Sequence, residues 1–221
     1  MDYQRPSYLR LVFGMRFPAL VLAFCTLGCN SGPAAVEVPE FDPSDAAQQA
    51  LELYDADEDE FIAGEELENA PGINATLKSL DANSDGKVDE AEIAQRVAAW
   101  QKMSTGLMSL NCEVLLDGAP LEGATVTFEP DAFLEGSIQP AEGVTSPLGA
   151  VYPQIPKEKR PSPDSPPGIQ AGIYKVRVSK LVNGKETIPA RYNAETMLGQ
   201  QVAKDDPAIT KKQVVFRLKS N

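Results

Sequence analysis

The sequence predicts an α+β multidomain chain: a short helical pair followed by an antiparallel β-sandwich. Three observations predict it. Residues 41–100 hold 16 Asp and Glu against three Lys and Arg, whereas residues 105–221 hold 13 of each. The acidity of a chain with net charge −12 therefore belongs to one short segment, which points to a cation site rather than to general solubility. That segment carries apolar residues at helical spacing around two acid-rich stretches. From residue 111 onward, short apolar runs alternate with Gly and Pro turns, the mark of a sheet with one wet face.

The chain opens on an address. Residues 1–16 carry Arg5, Arg10 and Arg16 with one acid, Asp2, and an apolar run from Phe17 to Gly28 follows. A spanning helix needs about 20 apolar residues, so this shorter run reads as a signal peptide over residues 1–28. Thr26-Leu27-Gly28-Cys29 resembles the lipobox of bacterial lipoproteins. The resemblance implies that Cys29 carries lipid, that residues 29–41 are a tether, and that the protein is extracytoplasmic and membrane-anchored. The alternative is an ordinary secretory signal with an incidental Cys. Removing residues 1–28 takes away three Arg and one Asp and moves the net charge from −12 to −14.

The helical pair is expected over residues 42–104. Ala47, Ala50, Leu51 and Tyr54 fall at i, i+3, i+4 and i+7, with Ser44 or Asp42 as the cap. Ile73, Leu77 and Leu80 form a second stripe, Ile93, Val97 and Trp100 a third, and the Pro71-Gly72 pair breaks the connection. All three stripes, with Trp100, read as core.

Between the stripes lie two twelve-residue loops. In residues 81–92, Asp81, Asn83 and Asp85 at positions 1, 3 and 5 converge hard oxygens, and Gly86 at position 6 permits a sharp turn. Lys87 at position 7 offers its carbonyl, leaving its side chain free to be cationic; Asp89 stands at position 9, and Glu92 closes the site at position 12. In residues 55–66, Asp55, Asp57, Asp59 and Glu66 hold positions 1, 3, 5 and 12, and Phe61 offers the carbonyl. Glu60 replaces the Gly at position 6, a strain of about 1 kcal/mol, and Ala63 at position 9 brings no oxygen. Both loops follow the EF-hand pattern, which implies Ca2+. Ile62 and Val88 at position 8 are β-branched and suited to a two-stranded bridge between the loops. Loop starts 26 residues apart leave little more than one turn for the first exiting helix, as in compact bacterial EF-hand pairs. The arrangement also resembles dockerin, a calcium-folded module that binds a partner protein.

Residues 105–221 are expected to form the sandwich. The runs are Cys112–Leu116, Ala124–Phe128, Gly143–Tyr152, Gly172–Lys180 and Gln213–Leu218. Leu116-Asp117-Gly118-Ala119-Pro120-Leu121-Glu122-Gly123-Ala124-Thr125-Val126-Thr127-Phe128 resembles the opening hairpin of carboxypeptidase-regulatory-like (transthyretin-like) domains. Pro167–Val176 resembles their later strand, and Ile188–Asn193 followed by Val214–Leu218 resembles the closing part in planctomycete-type lipoproteins. Such domains are accessory modules without catalytic residues. Residues 153–171, with six Pro and the basic stretch Lys157–Arg160, read as an exposed loop, either solvated or in contact with an acidic polymer.

The composition bounds the chemistry. Net charge −12 disfavours nucleic acid as a partner. The absence of His removes the commonest general base and zinc ligand, so no Ser-His-Asp or Cys-His site can be built. Of Cys25, Cys29 and Cys112, only Cys112 is left for the fold, as a small buried hydrophobe without a disulfide partner. Asp205-Asp206 is a carboxylate pair outside the loops, and adjacent acids of this kind usually make a turn. The expected function is a non-enzymatic, calcium-binding, lipid-anchored accessory protein of the cell envelope. Its expected partners are calcium, the membrane through Cys29, and an envelope protein or polysaccharide. A dockerin-like interaction module is the alternative.

Overall fold

The computed structural model describes Met1, residues 38–211 and residues 214–221. The signal peptide, Cys29 and most of the tether lie outside the described residues, as does Gln213. The described residues from Val38 onward belong to one compact unit of mixed α and β structure with antiparallel sheets.

Helix α1 spans Pro43–Tyr54. Asp42 is its cap, accepting from Ser44 N at 2.9 Å and Asp45 N at 3.2 Å, while Pro43 loses no bond in the first turn. Ala46, Ala47 and Ala50 are buried, and these small side chains let α1 lie close to α4 (Glu90–Lys102). Strand β1 (Phe61–Ile62), helix α2 (Glu65–Asn69), helix α3 (Pro71–Leu80) and strand β2 (Val88–Asp89) lie between them. The five residues of α2 match the short exit expected. Pro71-Gly72 does not separate the helices as the sequence suggested. The break falls at Ala70, and Pro71 opens α3, where a missing N–H costs nothing. Ile73, Leu80, Ile93, Val97 and Trp100 are buried as expected, and Trp100 meets Phe41 edge-on with ring centroids 6.1 Å apart.

The sheet half opens with β3 (Cys112–Leu116), β4 (Ala119–Pro120) and β5 (Thr125–Pro130). Asp117 and Gly118 both take positive φ, 52° and 85°, which suits the tight turn between β3 and β4. Strands β6 (Ala141–Val144), β7 (Ala150–Val151) and β8 (Gly172–Ser179) follow. Then come the hairpin β9–β10 (Leu181–Val182, Lys185–Glu186), strand β11 (Gly199–Val202), helix α5 (Pro207–Thr210) and strand β12 (Val214–Leu218). One sheet runs β11-β8-β5-β6, and β8 buries alternate residues against it. In the second, β3 pairs with β12, β4 and β7. The β3–β12 pairing is parallel, where an antiparallel sheet was expected; period-two burial says which face is wet and nothing about strand direction. The two sheets meet at Phe128 and Phe216, whose centroids are 6.1 Å apart.

One apolar core runs from Phe41 to Leu218 through both halves. Helix α3 lies on β11 and β8. The approach is so close that a Cβ on Gly199 would lie 1.9 Å from Pro71 O, and one on Gly72 would lie 2.4 Å from Asp131 Oδ2. Arg96 of α4 adds a fork of two 2.8 Å bonds to Asp205, with its Nε donating to Gln201 Oε1 at 2.7 Å. Among the described residues, no helix is long and apolar enough to cross a membrane.

Candidate metal centre

Each loop follows a helix that ends on a partnered amide: Asp55 N donates to Leu51 O, and Asp81 N donates to Leu77 O. The chain then turns sharply. Positions 4 and 6 have positive φ in both loops: Glu58 at 59° and Ser84 at 64°, Glu60 at 70° and Gly86 at 81°. The strain expected at Glu60 is present, and position 4 carries it as well.

The aspartate at position 1 folds each loop around its carboxylate. Asp55 Oδ1 and Oδ2 accept from Asp59 N at 3.2 Å and Glu60 N at 3.0 Å. Asp81 Oδ1 and Oδ2 accept from Asp85 N at 3.1 Å and Gly86 N at 2.9 Å. At position 5, Asp59 Oδ1 accepts from Phe61 N at 3.0 Å, and Asp85 Oδ1 accepts from Lys87 N at 2.9 Å.

The glutamate at position 12 closes each loop. Glu66 Oε1 accepts from Ala56 N at 2.6 Å and Asp57 N at 3.3 Å, and its Oε2 from Ala63 N at 3.0 Å. Glu92 Oε1 accepts from Ala82 N at 2.9 Å and Asn83 N at 3.3 Å, and its Oε2 from Asp89 N at 3.3 Å. The Ala63 N–H, with those of Ala56 and Asp57, holds the Glu66 carboxyl below the usual carboxylate range. At positions 1, 5 and 12 the two loops make the same bonds.

They differ at three places. Asp89 at position 9 accepts from Glu92 N at 2.8 Å and caps α4, whereas Ala63 has no oxygen to offer and Glu66 N donates to the Ala63 carbonyl at 2.9 Å. Position 3 is a carboxylate in Asp57 and an amide in Asn83, whose Nδ2 donates to Asp85 Oδ2 at 3.0 Å. Finally, the cationic Lys87 side chain reaches Asp59 Oδ2 at 3.3 Å.

The loops are bound to each other by β1 and β2, with Ile62 opposite Val88 in the expected register and both side chains fully buried. Carboxylate oxygens of Asp55, Asp57 and Asp59 lie within 4.8 Å of one another. Three carboxylates that close repel unless a cation or protons lie among them. The sequence offers oxygen donors at Asp55, Asp57, Asp59, Glu66 and the Phe61 carbonyl in one loop, and at Asp81, Asn83, Asp85, Asp89, Glu92 and the Lys87 carbonyl in the other; among the described residues only the three aspartates of the first loop bring carboxylate oxygens this close. Neither holds an imidazole or thiolate, so both suit a hard divalent cation.

No family model matches the chain, and no curated protein matches it.

Several residues with chemistry in the sequence are used elsewhere. Asp205 is held by Arg96, and Asp206 caps α5 by accepting from Ala208 N at 2.8 Å. Cys112 is buried in β3, and burial pushes its thiol up to about 12. The stretch 153–171 is less exposed than expected: Ile155 and Ile169 are fully buried, and Arg160 binds the loop itself through Ile155 O at 3.0 Å and Gln154 Oε1 at 3.0 Å. Alternating apolar residues anchor a segment whose proline content suggested only a surface excursion. The sequence reading missed Asp131, a carboxylate fully buried beneath α1, because nothing in its neighbours distinguishes it from a surface acid.

Proposed function

We propose that this chain is a non-catalytic calcium-binding protein of the cell envelope, lipid-anchored through Cys29. Residues 42–104 are its EF-hand pair, and residues 105–221 are a carboxypeptidase-regulatory-like β-sandwich that serves as an accessory module. The observation that carries the calcium reading is the recurrence of the same carboxylate-to-amide bonds in two loops joined at Ile62 and Val88. A single such loop is a turn with acids on it. Two with matching donors, bridged in register, are a paired cation device. Bound calcium supplies the positive charge that lets the crowded carboxylates coexist and holds the loops folded. Asp55 and Asp81 shape the turns, and Glu66 and Glu92 tie the loop starts to the following helices. The tight turn at Asp117-Gly118 and the Phe128–Phe216 contact between two sheets support the sandwich reading.

Calorimetric titration of the full chain with calcium chloride tests the reading. Two ions should bind per chain, with affinity of about 10⁻⁴–10⁻³ M, the range of extracellular modules. Trp100 should report the event, because its helix α4 begins on Asp89 and Glu92. No heat and no change in Trp100 emission up to several millimolar calcium would reject it. Mass analysis of the native protein tests the anchor; an unmodified Cys29 would leave a secreted protein without one.

A further inference from the structure

Lys87 belongs to one loop and reaches into the other. Its carbonyl stands at position 7 of loop 81–92. Its ammonium lies 3.3 Å from Asp59 Oδ2, the position-5 carboxylate of loop 55–66, and 4.5 Å from the centroid of the Phe61 ring. Both side chains of the ion pair are partly open to water, at 41% and 44% of full exposure. The contact crosses the bridge that joins β1 and β2, so the second loop delivers a positive charge onto the donor set of the first. Among the described residues, no ion pair reaches a carboxylate of loop 81–92.

We propose that Lys87 holds back the filling of loop 55–66, by competing with the ion for Asp59, so that loop 81–92 fills first and loop 55–66 second. The inference rests on the calcium reading above. An ion about 2.3–2.6 Å from an Asp59 oxygen would repel an ammonium held 3.3 Å from Oδ2 of the same carboxylate. Lys87 must swing away on its flexible stem. It then loses an exposed ion pair and a cation–π contact, each of modest strength in water, which together lower the affinity of loop 55–66 by about threefold to tenfold. Ala63 and Glu60 already weaken that loop; Lys87 is the handicap that belongs to its partner. The lysine also makes the first site responsive to the second, since whatever fixes the backbone of Lys87 in loop 81–92 fixes the root of its competitor.

The experiment uses the amide resonances of Gly64 and Gly86, one glycine in each loop, followed separately while the full chain is titrated with calcium chloride. In the wild type, Gly86 should respond at the lower concentration. Lys87→Met keeps the apolar stem over Phe61 and removes the charge. It should lower the Gly64 midpoint about threefold to tenfold and leave Gly86 where it was, whereas Lys87→Arg should keep the wild-type gap. The proposal is overturned if Gly64 ignores Lys87→Met, if both midpoints shift together, or if Gly64 responds first in the wild type. Silence of both glycines would instead overturn the calcium reading, and the inference with it.

Discussion

Tyr54 Oη donates a 2.6 Å hydrogen bond to Asp131 Oδ1, joining the last residue of α1 to a carboxylate of the sheet half. Tyr54 immediately precedes Asp55, so the bond fixes the point where loop 55–66 begins. Ala132 N donates to the same oxygen at 2.8 Å, while the buried Oδ2 has no partner among the described residues. The Lys175 ammonium lies 5.4 Å from the Tyr54 ring centroid, on the side of the cluster formed by β8. Burial raises the Asp131 carboxyl above the usual range, and the Tyr54 bond, Lys175 and the Ala132 amide only partly oppose it. A carboxyl whose folded pKa is raised contributes stability that is full below its unfolded value of about 3.9 and is lost as pH rises through the folded value. Asp131→Asn keeps an acceptor for Tyr54 and Ala132 and removes the charge. Relative to the wild type, it should therefore be more stable at pH 7 than at pH 4. Urea unfolding at the two pH values checks this, and a pH-independent difference would contradict it.

Tyr54→Phe takes away only the hydroxyl and leaves Asp131 with the Ala132 amide as its one donor. An unsatisfied buried partner of this kind costs about 1–3 kcal/mol. The urea midpoint should fall accordingly with an unchanged slope, because the buried area is the same. A loss under about 0.5 kcal/mol would place the bond among the dispensable surface contacts.

The seam between α3 and β11 carries the Ser79–Gln201 bond, and two glycines set how close it is. Gly199→Ala places a methyl 1.9 Å from Pro71 O and 2.8 Å from Gly72 Cα, and both obstacles are backbone. Backbone cannot swing aside, so the cost should reach or exceed the upper end of the overpacking range, about 3 kcal/mol. Gly136→Ala is the control: φ is 86° but a Cβ there meets nothing within 4 Å, so only strain of about 1–2 kcal/mol applies. Denaturant midpoints for the two variants should differ in that order. Equal losses would mean that the seam yields.

Much of this was legible in the sequence. The loops announce themselves because Asp at positions 1 and 5 and Glu at position 12 recur in both, and the β-branched Ile62 and Val88 mark the bridge. Strands β5 and β8 follow from period-two alternation, and β3 and β12 from short apolar runs between turns. What stayed hidden lacks such a signature. Gly199-Gln200-Gln201-Val202 has no alternating apolar pattern, yet β11 carries the contact with α3, and Gln201 is buried with its side chain bonded by Arg96 and Ser79. The hairpin at Asn183-Gly184 carried a recognisable turn signal, with φ of 53° and 76°, but its strands are too short and exposed to show a pattern. The Lys87–Asp59 pair and the burial of Asp131 arise from segments brought together by the fold, and neither local periodicity nor composition encodes them.

Glu60 and Gly86 occupy the same place in the two loops, with φ of 70° and 81°, and only one of them is a glycine. Each N–H donates to the position-1 aspartate, at 3.0 Å and 2.9 Å, so the bond survives exchange of the side chain. A Cβ at Gly86 would meet nothing within 4 Å, so the difference between the residues there is backbone strain rather than packing. Glu60→Gly should relieve about 1–2 kcal/mol of strain and return about 0.5–1 kcal/mol to the entropy of the unfolded chain, a net gain of about 0–1.5 kcal/mol. Gly86→Ala should lose a similar amount. Melting curves recorded with chelator present isolate this effect from ion binding. Glu60→Gln separates it from the relief of charge among Asp55, Asp57 and Asp59, since the amide keeps the strain. If Glu60→Gln stabilises as much as Glu60→Gly, repulsion and not the left-handed backbone is what burdens loop 55–66.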